Sequence, residues 1–189
     1  MEYEARAMIS SEQYINILKE FKSSKYSYVE LVNVNNYFDY EDLTLTNNHI
    51  VLRTRDINSK EFELTLKIKG ENGDTEINLP LDKNTYSNIN LNTKIPDSKI
   101  KDQLLSLNIN LNNLILITSL KTERLEIKVD NGLLVLDKNT YNNKVDYNVE
   151  VESNSKENAI NLLNNFFSKF EVTYKKGYIS KSRRAIFKL

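Results

Sequence analysis

A strict alternation of apolar and polar residues recurs along this chain, and it constrains the fold more than any other feature. Residues 62–69 place phenylalanine, leucine or isoleucine on every second position, with polar or charged residues between them. Successive side chains of a β-strand point to opposite faces, so this segment predicts a half-buried antiparallel strand. Comparable segments predict about eight strands, nearly all antiparallel to their neighbours in the chain. The predicted fold class is therefore α+β, with a strongly curved or closed antiparallel sheet and helices packed outside it.

Local signals place the individual elements. Serines before residues 12 and 156, and the segment Pro96-Asp97-Ser98, are helix-start signals followed by apolar residues at helical spacing. No linker or internal repeat interrupts the pattern, so we expect one domain over residues 1–189. The predicted helices span residues 11–23, 97–107 and 155–169. The predicted strand segments span residues 2–6, 28–32, 36–40, 50–55, 62–69, 75–79, 114–117, 124–129, 133–137 and 145–152.

Composition excludes several classes of function. The chain has 26 basic and 26 acidic residues, so its net charge predicts neither nucleic-acid binding nor an acidic substrate. It has no cysteine, which excludes disulfides and thiolate metal sites. No targeting signal or long apolar run is evident, so we expect a cytoplasmic protein without membrane or nucleic-acid partners. Its 4 glycines form no glycine-rich phosphate loop, so any phosphate must be held by side chains.

Two predicted strands carry pairs of carboxylates on one face. In residues 2–6, Glu2, Glu4 and Arg6 share a face, while tyrosine and alanine lie behind them. Residues 146–152 repeat this pattern with Glu150 and Glu152. One interpretation is an edge strand whose charged side lies in water. The recurrence favours a second interpretation, in which the rest of the chain forms a frame around the two acidic pairs.

Charged residues occupy the polar faces of almost every predicted strand. These faces either point to solvent or, if the sheet closes, line one tunnel where clusters of like charge need counter-ions. Carboxylates without sulfur ligands suit Mg²⁺ or Mn²⁺, and phosphate oxygens would neutralise the bases. The acids are Glu2, Glu4, Glu76, Asp137, Glu150 and Glu152, and the bases are Arg6, Arg53, Arg55, Lys67, Lys69, Arg124 and Lys181.

The charged positions belong to short motifs that follow one another along the chain. These are Glu2-Tyr3-Glu4-Ala5-Arg6, Tyr37-Phe38-Asp39, Leu52-Arg53-Thr54-Arg55, Leu64-Thr65-Leu66-Lys67, Arg124, Leu136-Asp137, Glu150-Val151-Glu152 and Ser180-Lys181. In this order they resemble the signature motifs of the CYTH superfamily, the triphosphate tunnel metalloenzymes, which begin with Glu-x-Glu-x-Lys. Any single motif is weak evidence, but the ordered set is specific and covers essentially the whole chain.

The resemblance implies a closed eight-stranded antiparallel tunnel that binds a triphosphate with Mg²⁺ or Mn²⁺. Arg6 stands where the family signature has lysine, and arginine keeps the charge but cannot deprotonate. Arg6 and Lys67 are the candidate catalytic residues. The implied metal ligands are Glu2, Glu4, Asp137, Glu150 and Glu152. The candidate phosphate-binding residues are Arg53, Arg55, Lys67, Lys69, Arg124, Lys181 and Arg183.

The family includes inorganic triphosphatases, thiamine triphosphatases and class IV adenylate cyclases, and this chain has no clear nucleotide-reading motif. The leading hypothesis is a metal-dependent hydrolase of triphosphates, with inorganic triphosphate as the expected substrate. A cyclase, a thiamine triphosphatase and a polyphosphate-binding module without turnover are the alternatives. The protein is expected to be a monomer or homodimer. His49 is interpreted as a surface residue in a turn, and the basic pairs at 175–176 and 183–184 as a solvated tail.

Overall fold

The computed structural model describes residues 3–23, 25–70 and 75–189, so the predicted ligand Glu2 lies outside the described residues. Within these ranges no helix combines the length and the apolar character needed to span a membrane. The strands are β1 (Tyr3–Ile9), β2 (Val29–Asp39), β3 (Ile50–Ile57), β4 (Glu61–Ile68), β5 (Thr75–Leu81), β6 (Ile115–Val129), β7 (Gly132–Tyr141) and β8 (Lys144–Ser153). The helices are α1 (Ser11–Phe21), α2 (Thr44–Asn47), α3 (Lys83–Asn92), α4 (Lys99–Ser106), α5 (Lys156–Phe167) and α6 (Lys181–Ile186).

The eight strands form one antiparallel sheet in the order β1-β8-β7-β6-β2-β3-β4-β5. This confirms the predicted α+β class with eight antiparallel strands, and β1 and β5 end the described order. The predicted segments 114–117 and 124–129 belong to one continuous strand, β6, and the segments 28–32 and 36–40 belong to β2. Polar residues in the middle of both strands interrupt the apolar pattern, so the sequence predicts breaks that the structure does not have.

The chain forms two compact units. The first comprises residues 1–32 and 122–180, and the second comprises residues 33–121 and 181–189. Each unit has its own hydrophobic core. The family resemblance treats both parts as one domain, and that expectation stays a prediction.

In the first unit, α1 and α5 pack on the apolar face of β1, β7 and β8. Ser10 caps α1, because its hydroxyl accepts a hydrogen bond from the Gln13 N–H while the Gln13 side chain accepts one from the Ser10 N–H. Phe21 and Phe167 bring the two helices together in the core, where both are fully buried. The helices predicted over residues 11–23 and 155–169 are thus confirmed.

In the second unit, α3 and α4 cover strands β3, β4 and β5. Helix α4 confirms the prediction over residues 97–107, whereas α3 is a helix that the sequence did not predict. Asp82 starts α3, because its carboxylate accepts hydrogen bonds from the N–H groups of Asn84 and Thr85 at 2.8 and 2.9 Å. In α3 only Ile89 is fully buried, so hydrophobic periodicity gives little signal there.

Polar side chains anchor α3 to the sheet. Asn36 donates a hydrogen bond to the hydroxyl of Tyr86 at 3.0 Å, and the Thr54 hydroxyl donates one to Asn90 at 2.6 Å. Thr54 is fully buried. The helix is therefore held by a satisfied polar network, which apolar patterns do not reveal.

The C-terminal basic segment corrects one prediction. Residues 183–184 were expected in a solvated tail, but α6 forms there, and Arg184 is buried together with Ala185 and Ile186. The two apolar residues give this segment a surface to bury, although a helix this short has no readable periodicity. Arg183 and the pair at residues 175–176 are exposed, as expected.

Gly132 marks a close approach of β7 to β8. A Cβ atom on Gly132 would lie 2.1 Å from the backbone oxygen of Glu152. The next residue along β7, Leu133, pairs with Glu152 in the ladder. Only glycine allows the strands to approach this closely.

Candidate functional site

The first unit presents a charged face opposite its hydrophobic core. On β1, Ala5 is buried in the core, whereas the alternate residues Glu4 and Arg6 lie on the charged side. The strand ladder places Glu4 opposite Glu152 and Arg6 opposite Glu150. We call this surface the acidic face, and it comprises Glu4, Arg6, Arg124, Glu126, Asp137, Glu150 and Glu152.

Arg124 is the central counter-ion of the acidic face. Its Nε and Nη2 donate to the two carboxylate oxygens of Asp137 at 2.8 and 3.0 Å, and Nη2 also donates to Glu150 at 2.9 Å. Both carboxylates are buried. Burial lowers the pKa of Arg124, but the charges of Asp137 and Glu150 outweigh this effect and raise the pKa above its ordinary value. The guanidinium therefore stays charged and is shared between the two acids.

Arg6 neutralises the more exposed part of the acidic face. Its Nη2 forms an ion pair with Glu4, and its Nε lies 3.2 Å from Oε1 of Glu150. The side chains of Arg6 and Glu4 are 33% and 36% exposed. The guanidinium also lies over the ring of Tyr178, 5.8 Å from the ring centroid. Arg6 thus bridges carboxylates of two neighbouring strands.

Buried amides hold the acidic face in position. Asn148 donates hydrogen bonds to Asp137 at 3.2 Å and to Glu150 at 3.4 Å. Asn139 donates to Asn148 at 2.8 Å and to Asp146 at 2.9 Å. Both asparagines are fully buried. Sequence reasoning misses them because asparagine is abundant throughout the chain, and their period-two spacing with Asp137 and Glu150 was the available signal.

The second unit presents a charged face on which basic residues predominate. Arg53 and Arg55 of β3 and Lys67 of β4 occupy the alternate positions to the buried residues Leu52 and Leu66. We call this surface the basic face, and it comprises Arg53, Arg55, Glu63, Lys67 and Glu76.

Arg53 is the least compensated charge of the basic face. The residue is 9% exposed, and its Nε is buried without a hydrogen-bond partner. Among the described residues, the Arg53 side chain forms no hydrogen bond or ion pair. A buried guanidinium is costly unless an anion compensates it. The position is therefore suited to a bound anion.

The other two cations of the basic face have acidic partners. Arg55 donates to Asn35 at 3.0 Å and lies 3.4 Å from Glu63. The Lys67 Nζ lies 2.7 Å from Glu76, and both side chains are 42% exposed. Burial raises the pKa of Glu76, but the hydrogen bond and charge of Lys67 outweigh this and hold it below its ordinary value. An exposed pair of this kind is weak, so an incoming anion can displace Glu76 at small cost.

The comparison with known proteins identifies the family. The model of the CYTH domain matches residues 1–185. The chain belongs to the CYTH family. It is 28% identical to the candidate triphosphatase YjbK of Bacillus subtilis (strain 168) over 153 residues, which cover 81% of this chain and 77% of YjbK.

Two solved structures resemble the CYTH fold of this chain over nearly its full length. A candidate adenylate cyclase from Bacillus halodurans gives a TM-score of 0.82 at 25% identity, covering 97% of this chain and 96% of that chain. HpAC1 from Hippeastrum, a candidate adenylyl cyclase described as having a dominant triphosphatase activity, gives a TM-score of 0.82 at 19% identity. This second match covers 97% of this chain and 94% of that chain.

One CYTH motif has a structural role that the sequence did not indicate. Asp39, the last residue of Tyr37-Phe38-Asp39, is buried and accepts hydrogen bonds from the N–H groups of Leu45 and Thr46 at 2.8 and 2.9 Å. Its carboxylate therefore closes the turn that leads into α2.

Three further residues were predicted to bind phosphate, namely Lys69, Lys181 and Arg183. Lys69 is exposed just after β4, and Lys181 is the half-buried first residue of α6. Arg183 is exposed and lies over the ring of Phe187, 5.0 Å from the centroid. The phosphate-binding roles of these three residues stay predictions. His49 is exposed in the turn after α2, which confirms its interpretation as a surface residue.

The acidic face has the donor chemistry of a hard divalent cation. All of its potential ligands are carboxylates, which suit Mg²⁺ or Mn²⁺. Among the described residues, no three acidic or histidine groups are already arranged around a common position for an ion. Instead, the carboxylates of Glu4, Asp137 and Glu150 are engaged by arginines. Metal ligation by these residues is therefore a proposal.

Proposed function

We propose that this CYTH protein is a metal-dependent hydrolase of triphosphates, with inorganic triphosphate as its preferred substrate. The observation that carries the proposal is the largely buried Arg53, whose Nε has no hydrogen-bond partner among the described residues and whose charge acts on Glu76 without a direct ion pair. Arg55 and Lys67 lie on the same face, so the ligand should be an anion that meets several cations. A triphosphate has this property, and guanidinium groups bind its oxygens in bidentate geometry.

The described relatives support the same class of reaction. YjbK bears the name of a candidate triphosphatase, and HpAC1 is described as having a dominant triphosphatase activity. On the basic face, Arg53, Arg55 and Lys67 would bind and orient phosphate. Lys67 can turn from Glu76 to the substrate because their ion pair is exposed.

A divalent metal would be held on the acidic face by Glu4, Glu150 and Glu152, with Asp137 and Glu2 as the further candidate ligands. A bound Mg²⁺ or Mn²⁺ neutralises phosphate charge and lowers the pKa of a coordinated water. Asn148 would keep Asp137 and Glu150 oriented through its two hydrogen bonds.

Substrate choice follows from the chemistry of the basic face. Its charged groups bind phosphate oxygens whatever the triphosphate is attached to. A nucleoside without partners adds desolvation cost and little binding free energy. Inorganic triphosphate should therefore be cleaved with a higher kcat/KM than ATP, by about tenfold or more, and cyclic AMP should be absent.

Product analysis tests this proposal. The purified chain is incubated with inorganic triphosphate, ATP or thiamine triphosphate, in separate assays with Mg²⁺, Mn²⁺ or EDTA. Phosphate release and cyclic AMP formation are both measured, and the Glu152→Gln variant, which lacks a proposed metal ligand, is the control for background hydrolysis. Cyclic AMP formation faster than triphosphate cleavage would establish the cyclase alternative. Tight triphosphate binding without any turnover would establish the binding module.

A further inference from the structure

We propose that Arg6 is an internal counter-ion that competes with the divalent metal for the carboxylates of the acidic face. This inference rests on the proposed function, because it concerns the residues that would hold the metal. Arg6 contacts both Glu4 and Glu150, which are two of those residues. The guanidinium and a divalent metal at the same carboxylates would repel each other, so the two cations compete for these groups.

The contacts of Arg124 show why Arg6 is the exchangeable cation. Arg124 satisfies both oxygens of the fully buried Asp137 and the second oxygen of Glu150. Breaking such a buried pair is strongly unfavourable because it leaves an uncompensated charge. The contact of Arg6 with Glu4 is a third exposed, so water can replace either partner.

The strand register places two carboxylates opposite each other, and either Arg6 or a divalent ion can supply the positive charge next to them. Glu4 and Glu152 lie directly opposite each other on β1 and β8, and like charges in this position are destabilising. In the structure Arg6 provides the positive charge next to Glu4. A divalent ion at the same carboxylates would provide it instead and release Arg6.

A released Arg6 has an alternative position. Its guanidinium already lies over the ring of Tyr178, a contact that involves no carboxylate. Arg6 can keep this contact after it leaves Glu4, so its displacement does not remove all of its contacts. The competition is also specific to arginine, because its planar fork bridges two carboxylates, whereas lysine presents a single ammonium group. The arginine in place of the signature lysine should therefore weaken metal binding.

The test measures Mn²⁺ binding by electron paramagnetic resonance of the free ion, with no substrate present. Four proteins are compared: the unaltered chain, Arg6→Gln, Arg6→Lys and Lys138→Gln. Lys138 is the matched control because it is 37% exposed and pairs with Glu123 at 3.0 Å, without contacting Glu4 or Glu150. The dissociation constant should fall about tenfold in Arg6→Gln and about threefold in Arg6→Lys, and stay within about twofold in Lys138→Gln.

Thermal unfolding supplies a second measurement. Without metal, Arg6→Gln should melt below the unaltered chain, and Mn²⁺ should raise its Tm by more than it raises that of the unaltered chain. If Arg6→Gln binds Mn²⁺ no more tightly than Lys138→Gln, the competition is rejected, whereas the proposal of a metal site is retained. If none of the four proteins binds Mn²⁺, the metal-binding part of the proposed function fails, and this inference fails with it. Arg6→Lys keeps the charge, so its Mn²⁺ dissociation constant still tests the competition if Arg6→Gln folds poorly.

Discussion

The acidic face and the basic face differ in how their charges are balanced. On the acidic face, Arg124 and Arg6 form ion pairs with Asp137, Glu150 and Glu4 within the same unit, and the carboxylates outnumber the guanidinium groups. On the basic face, Arg53 is buried without an anionic contact among the described residues. The same alternation of charged residues along strands therefore produces one surface with an excess of carboxylates that arginines pair only in part, and another with a buried cation that has no ion pair in the described part of the chain.

The largest expected effect is a loss of stability when Asp137, the buried partner of Arg124 on the acidic face, is replaced. Asp137→Asn leaves Arg124 with one carboxylate fewer in a buried position, so the free energy of unfolding should fall by about 3 kcal/mol. Chemical denaturation of the two proteins without metal measures this difference. Glu126→Gln, which removes a longer contact of 3.5 Å to the same guanidinium, is the matched control and should cost much less. Equal losses in the two variants would contradict the central role of the Arg124–Asp137 pair.

The second-largest expected effect is on the rate of triphosphate cleavage. Glu4→Gln and Glu152→Gln should each reduce metal-dependent triphosphate cleavage by at least about 100-fold, because each removes a proposed metal ligand. The Tm without metal should hold or rise, since one of two opposed like charges is lost. Glu123→Gln, on strand β6 and paired with Lys138, is the control. Activity retained in both variants would remove these residues from the metal site.

A smaller effect should follow from removing the uncompensated cation. Arg53→Gln should weaken triphosphate binding by roughly 10- to 100-fold, the range for a lost hydrogen bond to a charged group. Its Tm without ligand should be equal or higher, because a buried unpaired charge is gone. Calorimetric titration with inorganic triphosphate and thermal unfolding measure the two quantities. A destabilised Arg53→Gln protein with unchanged affinity would show that Arg53 is a structural residue.

The smallest expected effect concerns Glu76, the acidic partner of Lys67 on the basic face. Because its pKa lies below the ordinary value of 4.5, Glu76 stabilises the fold above that value and loses this contribution as pH falls through the lowered pKa. The Tm difference between the unaltered chain and Glu76→Gln should therefore shrink below about pH 4. At neutral pH, Glu76→Gln should bind triphosphate a few-fold more tightly, because Lys67 is released and an acid is removed. A constant Tm difference down to pH 2 would argue against the Lys67–Glu76 pair.

The sequence was sufficient to locate the strand segments and to assign charged residues to faces, but it did not show that β2 and β6 are continuous. Period-two alternation correctly separated Arg53 from Leu52 and Glu150 from Val149, because the strand period needs no tertiary information. Helix α3 was missed because polar contacts anchor it, and α6 because it is too short for a periodic signal.

Ion-pair partners could not be predicted from alternation either. The ion pair between Arg124 and Asp137 depends on which strands become neighbours. Arg124, which the motif assigns to phosphate, contacts two acids, and its phosphate-binding role stays a prediction. Likewise, the lack of a partner for Arg53 depends on the burial of its Nε, which no spacing rule contains. The face on which a charged residue lies follows from the local geometry of its strand, whereas its ion-pair partner depends on tertiary contacts.

Gly132 offers a purely steric adjustment of the acidic face. Its missing side chain leaves room for the backbone oxygen of Glu152, and Leu162 lies close behind, 3.2 Å from the same absent Cβ. Any other residue at position 132 would thus place its Cβ against this oxygen and push β8 away from β7 without altering any charge. The absence of a side chain at Gly132 therefore helps to fix where the carboxylates of β8 lie, independently of their chemistry.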